Sequence, residues 1–139
     1  MIVAGIDFGR KRIGLAIRER SLVYPLETLE RRTLEQDLRT IRSCLEDRGV
    51  SLVVVGLPLR MGGKEGAMAS AARAFAERVA EVTGLPVEMA DERLSSFEAN
   101  DRLRGLKVKR ASKKSARNAL AAAVILENWL ATRRTAGGR

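Results

Sequence analysis

Histidine is absent from this chain. That excludes His-based catalytic triads and argues against a zinc site of the usual kind. Cysteine occurs once, as Cys44, which excludes an intrachain disulfide and a thiolate metal cage. Cys44 falls in an expected helix and reads as ordinary packing. No apolar run approaches the roughly 20 residues that span a bilayer. The first residues also lack the basic region, apolar stretch and small-residue cleavage site of a signal peptide. A cytoplasmic protein with no membrane partner is the expectation. Hydrolytic chemistry in such a chain must come from carboxylates with a hard cation, or from Ser and Lys.

What is present is charge, mostly of one sign. Lys and Arg number 26 against 17 acids, a formal net charge of +9. Such an excess favours a polyanion, because each neutralised phosphate releases counterions. Residues 107–117 hold six cations and no acid, and Arg10-Lys11-Arg12 forms a second cluster. Two separate basic clusters point to nucleic acid rather than to a solubilising face. Only Val108 in the 107–117 stretch is a large apolar residue, which argues against a lipid surface. Hydrophobic residues at 45% and charged residues at 31% indicate a globular chain. At 139 residues it is most simply one domain. The expected domain is 1–134, with 135–139 as a flexible tail.

Apolar and β-branched runs predict strands at 2–6, 15–17, 21–29, 52–57 and 87–90. Pro25 places the third of these at an edge or a bulge. Thr33 is set to cap a helix over 34–48, with Leu34, Leu38, Ile41 and Leu45 on one stripe and Gly49 at its end. A polar loop at 60–66 leads to a helix over 67–82, with Met68, Ala72, Phe75, Val79 and Val82 facing the core. Ser95 and Glu98 have capping-box spacing for a helix near Ser96. A last helix is expected over 115–133, with Leu120, Ala123, Val124, Glu127 and Leu130 near one stripe. The order is β-β-β-α-β-α-β-α-α. It predicts an α/β fold in which three antiparallel strands precede alternating helices and strands, giving a mixed sheet with helices on its faces.

Ligands in such sheets gather where strands end and connections diverge. Asp7 is expected at the end of the first strand, in the frame Gly5-Ile6-Asp7-Phe8-Gly9, and Glu92 just after the last strand. Two carboxylates brought together there repel unless a cation such as Mg²⁺ or Mn²⁺ lies between them. Such an ion activates water and clamps a phosphodiester. Each acid also has a plain structural reading. Asp-x-Gly often makes a turn, and Asp91-Glu92-Arg93 can be a local ion pair.

The pattern resembles the YqgF family, also called RuvX, within the RNase H-like superfamily that includes the resolvase RuvC. The resemblance rests on Gly5-Ile6-Asp7-Phe8-Gly9 with Arg12-Ile13-Gly14-Leu15-Ala16. It continues through Val55-Gly56-Leu57-Pro58, Gly63-Lys64-Glu65-Gly66 and Asp91-Glu92-Arg93-Leu94-Ser95-Ser96. A Lys-Lys-rich entry into an Ala-rich last helix completes it. The segments follow the family's order over nearly the whole chain. The resemblance implies a five-stranded RNase H-like sheet and a metal-dependent endonuclease acting on the 5′ end of pre-16S ribosomal RNA. Resolvase-like cleavage of branched DNA is the alternative. It implies Asp7 and Glu92 as ligands of Mg²⁺ or Mn²⁺, with the 57–66 loop bordering the site. Arg10, Lys11, Arg12, Arg93, Lys113 and Lys114 are implied as phosphate contacts. Partners are then structured RNA or branched DNA and ribosomal precursor particles, with the protein a monomer or weak homodimer.

One position departs from the family pattern. Alignment through the Ala-rich helix puts Asn118 where a third acid is usual. Its carbonyl can still serve as a weak metal ligand, but it adds no charge. As a plain structural residue, Asn118 would simply start the helix. Two other readings therefore stay open. One is an RNA-binding assembly factor with a weakened site. The other is a sugar-kinase or actin-like ATPase, which normally needs two related domains.

Overall fold

The computed structural model describes residues 1–58, 66–91 and 110–136, and the side chains within these except 110–116 and 134–136. Its order is β1 (Ile2–Phe8), β2 (Arg12–Glu19), β3 (Leu22–Glu30), α1 (Leu34–Arg48), β4 (Leu52–Leu57), α2 (Ala67–Thr83), β5 (Val87–Asp91) and α3 (Arg110–Ala136). The helix expected near Ser96 lies outside the described residues. The five strands form one sheet in the order β3-β2-β1-β4-β5. The first three are antiparallel neighbours, while β4 and β5 run parallel to β1.

Strand alternation sorts the side chains to two faces. On one face Ile6, Phe8, Ile13, Leu15, Val53 and Val55 pack against α1 and α2, through Leu38, Ile41, Phe75 and Val79 among others. On the other, Val3, Ala16, Leu52 and Val54 meet Ala122, Ile125, Leu126 and Trp129 of α3. The mixed sheet is therefore sandwiched between helices, as the α/β expectation holds.

Local chemistry sets the boundaries. Thr33 caps α1 in a full capping box, its side chain accepting from the Gln36 N–H. Gly49 closes α1 in the left-handed region, and Gly84 closes α2 in the same way. Pro25 sits on the edge strand β3, beside a register shift between Leu15 and Ala16. There its missing N–H costs no ladder bond to a further strand. β2 is longer than expected, because Ile13 and Gly14 pair with β1 despite the glycine and Arg12 pairs with Glu30 of β3. Leu34 is 39% exposed rather than packed, whereas Asp37 is buried.

α3 departs most from a simple amphipathic stripe. All residues from Ala119 to Leu126 are buried. The helix starts five residues earlier than expected, so much of the basic stretch forms its first turns, and it continues through Thr135 and Ala136. It lies against the sheet where two strands carry glycine. A Cβ on Gly14 would stand 1.9 Å from the Asn118 carbonyl oxygen, and one on Gly5 would stand 2.6 Å from Leu126 Cγ. The helix takes the space that side chains there would fill, with its backbone at Gly14 and with Leu126 and the Ala122 carbonyl at Gly5.

Away from this contact, Cys44 is half-buried and its Sγ donates to Glu27 Oε1 at 3.3 Å. Burial pushes its thiol up from 9.0 to about 11, aided by that hydrogen bond and the charges of Glu27 and Asp47. The fold then holds this proton more tightly than the unfolded chain, so the associated stability fades as pH rises from about 9 to about 11.

Two outcomes follow from these contacts. Gly14→Ala should destabilise by about 3 kcal/mol, whereas Gly49→Ala, strained in φ but unobstructed, should cost roughly 1 kcal/mol. Urea melts of the two variants measure this, and equal losses would contradict the close approach at Gly14. Cys44 should react with a thiol reagent at pH 8 about 100-fold more slowly in the native protein than in urea. Equal rates would show that the thiol is not held protonated.

Candidate active site

β1 carries Val3, Gly5 and Asp7 toward α3 by period-two alternation, since Val3 and Gly5 both meet that helix. Asp7 lies one residue inside the end of the strand and pairs in register with Gly14 of β2. The Asn118 carbonyl sits over Gly14, and the Asn118 Nδ2 lies 3.7 Å from where a Gly9 Cβ would be. Asp7 and Asn118 are thus both placed next to Gly14, at the end of the sheet where β1 turns into β2, and both are half-buried. Asn118 does not start its helix. It stands eight residues after Arg110, so its side chain has no capping task.

The turn between β1 and β2 is Gly9-Arg10-Lys11, closed by a Gly9 N–H donating to the Arg12 carbonyl at 2.9 Å. A Cβ at Gly9 would stand 2.6 Å from that same carbonyl oxygen, so glycine is required for closure. Arg10 and Lys11 are exposed on this turn. Arg10 Nε reaches Met68 Sδ of α2 at 3.3 Å. Arg12 is committed differently, with its Nε 2.9 Å from Glu30 Oε1 across the β2–β3 ladder. That pair is largely solvated, so it contributes little to stability, but it leaves Arg12 less available to a phosphate than its neighbours.

β5 ends at Asp91, which pairs with Leu57 of β4. Both β1 and β5 border β4, so the two acid-bearing strand ends lie on the same sheet edge, about 10 Å apart at two interstrand spacings. Glu88 and Ala90 contact α3 or its core, so alternation turns Asp91 to the opposite face. Glu92 and Arg93 lie outside the described residues. Lys113 and Lys114 belong to the first turns of α3, and their side chains are likewise outside the description. Among the described residues there is no group of three or more His, Cys, Asp or Glu placed to hold a metal.

Two features escaped the sequence reading. Arg117, exposed beside Asn118 on α3, was visible only as one cation within a basic run. The second is a brace behind the turn. Asp37 of α1 is 3% exposed and accepts from Arg31 Nε and from the Arg32 N–H, each at 3.1 Å. Arg31 in turn donates from Nη1 to the Gly9 carbonyl at 2.9 Å. A buried acid near a helix start carries a signal only in hindsight, because an Asp in the first turn normally serves the helix dipole at the surface.

Comparison with known proteins agrees with this architecture. The profile of the RuvX family, described as Holliday junction resolvase, matches residues 1–132. A protein of Anaeromyxobacter sp. (strain Fw109-5) named "Putative pre-16S rRNA nuclease" is 50% identical over 128 residues, covering 91% of this chain and 93% of the relative. A relative of the same name from Picosynechococcus sp. (strain ATCC 27264 / PCC 7002 / PR-6) is 42% identical, covering 95% and 93%. Among solved structures, T. thermophilus RuvC in complex with a Holliday junction substrate superposes with a TM-score of 0.63 over 95% of this chain and 96% of that one. At 21% identity this likeness establishes the RNase H-like fold. By profile and by relatives at this identity, the chain belongs to the RuvX family.

Proposed function

We propose that this protein is a divalent-metal-dependent nuclease that processes the 5′ end of pre-16S ribosomal RNA. The observation carrying the proposal is that Asp7 pairs in register with Gly14, over which the Asn118 carbonyl sits, beside an exposed basic turn. The names of its relatives support RNA as the substrate. The family description and the junction-bound RuvC neighbour favour branched DNA as a second substrate class. Ribosomal precursor particles are the proposed cellular partners, the cytoplasm the proposed location, and residues 1–134 the proposed catalytic domain.

The donors suit a hard cation. Asp7 and Asn118 offer oxygen, and hard divalent ions take oxygen ligands. Glycine at positions 9 and 14 keeps Cβ atoms out of the space around Asn118. Asp7, Glu92 and Asn118 would hold Mg²⁺ or Mn²⁺. The metal would supply water activation and charge neutralisation at the scissile phosphate. Asp7 provides the fixed negative charge at the strand end, while Asn118 adds a dipole without charge. Arg10 and Lys11 bind flanking phosphates from the turn, with Arg93, Lys113 and Lys114 as further contacts. Arg12 contributes to the same rim when its pair with Glu30 opens.

Two experiments test this reading on a precursor RNA that retains its 5′ extension. Asp7→Asn should lower Mg²⁺- or Mn²⁺-dependent cleavage at least about 100-fold, because a charge-bearing ligand is lost without a change of shape. Cleavage at the parental rate would refute the site. Replacing Arg10 and Lys11 together by Ala should reduce the slope of log affinity against log salt by about two for a duplex substrate. An unchanged slope would show that the turn does not touch phosphate.

A further inference from the structure

We infer that Arg31, held by Asp37, is a positioning residue for the nuclease site. This rests on the reading of Asp7 as a metal ligand. It extends that reading to two residues that touch neither metal nor substrate. Arg31 engages the β1–β2 turn at both ends. Its main-chain N–H donates to the Lys11 carbonyl at 2.9 Å, and its Nη1 donates to the Gly9 carbonyl at 2.9 Å. The three-residue turn is thus tied to one residue of the β3–α1 connection.

Asp37 sets where that residue stands. One carboxylate oxygen accepts from Arg31 Nε and the other from the Arg32 N–H, so both oxygens fix the same short segment. The Arg31 guanidinium also lies 4.6 Å from the centre of the Phe8 ring, which stacks on Phe75 of α2 at 4.2 Å. Phe8 follows Asp7 directly and points to the opposite face of the sheet. The guanidinium therefore restrains the two residues that follow Asp7, Phe8 by its ring and Gly9 by its carbonyl. A planar fork with several donors does this; a lysine ammonium, a single point on a flexible stem, cannot hold Asp37 and Gly9 together in the same way. Rotation of Gly9 would move the end of β1 and the two turn cations together. The brace turns the packing of α1 into the geometry of the site.

The test uses the full chain with Arg31→Lys and Asp37→Asn. Leu45→Ala, at the far end of α1 and buried in the core, controls for loss of stability alone. The first readout needs no activity. Exchange of the Gly9 amide hydrogen, bonded to the Arg12 carbonyl, should quicken about tenfold in Arg31→Lys relative to amides of β4. In Leu45→Ala the two should quicken together. The second readout is kcat for cleavage of the precursor RNA at saturating metal. It should fall about tenfold in both brace variants and stay near the parental value in Leu45→Ala at a temperature where all are folded. Unchanged Gly9 exchange, or losses matched by Leu45→Ala, would overturn the assignment. Asp7→Asn assayed alongside separates the two ideas. If it remains active the metal-site reading fails, and Gly9 exchange still decides the brace.

Discussion

The structure depends on one close approach, the seating of α3 on the glycines of β1 and β2. A helix normally stands about 10 Å from a sheet because side chains intervene. At Gly14 the helix backbone itself takes the space of a side chain, and at Gly5 the Leu126 side chain and the Ala122 carbonyl do. Asn118 is thereby lowered onto the rung where Asp7 pairs with Gly14. With an ordinary residue at position 14, the helix would lift, and Asn118 would no longer sit over the rung that carries Asp7. The burial of every residue from Ala119 to Leu126 is the energetic counterpart, since small alanines let the helix sit low while Ile125 and Leu126 fill the space beside it.

The other face of the sheet supports the same edge from behind. α1 delivers Asp37 to Arg31, and α2 delivers Phe75 to Phe8, so the strand carrying Asp7 is held by contacts from both helices. The basic turn is ordered by backbone hydrogen bonds while its Arg10 and Lys11 side chains remain exposed. That separation suits a surface meant for phosphate. Fixed main chain positions the charge, and solvated side chains adapt to the polyanion. The excess of cations over acids then acts at longer range, raising the local concentration of nucleic acid at the rim.

Much of the fold was legible in the sequence, and the reasons are specific. Thr33 and Gly49 mark the ends of α1 through local chemistry that needs no tertiary partner, and each does so in the structure. The apolar run at 52–57 reads as a buried strand and is one, and Pro25, expected at an edge or a bulge, lies on the edge strand beside a register shift. Other features depended on contacts distant in sequence. Gly14 reads as a strand breaker until the helix that needs it is known. Leu34 fits the α1 stripe by spacing but lies in the first turn, beyond the reach of the sheet. Asp37 looks like a surface acid because its partner Arg31 turns toward it only in the folded connection. Asp7 and Asn118 were singled out through family likeness, whereas the position of Asn118 well inside α3 required the structure.

The most direct measurement of the central claim is a crystal of this protein soaked in Mn²⁺, with diffraction recorded at the manganese absorption edge. The account predicts an anomalous peak bonded to a carboxylate oxygen of Asp7, with the side-chain oxygen of Asn118 in or next to the coordination sphere. A saturating soak that left Asp7 without manganese, or that placed the ion at a distant acid, would contradict it.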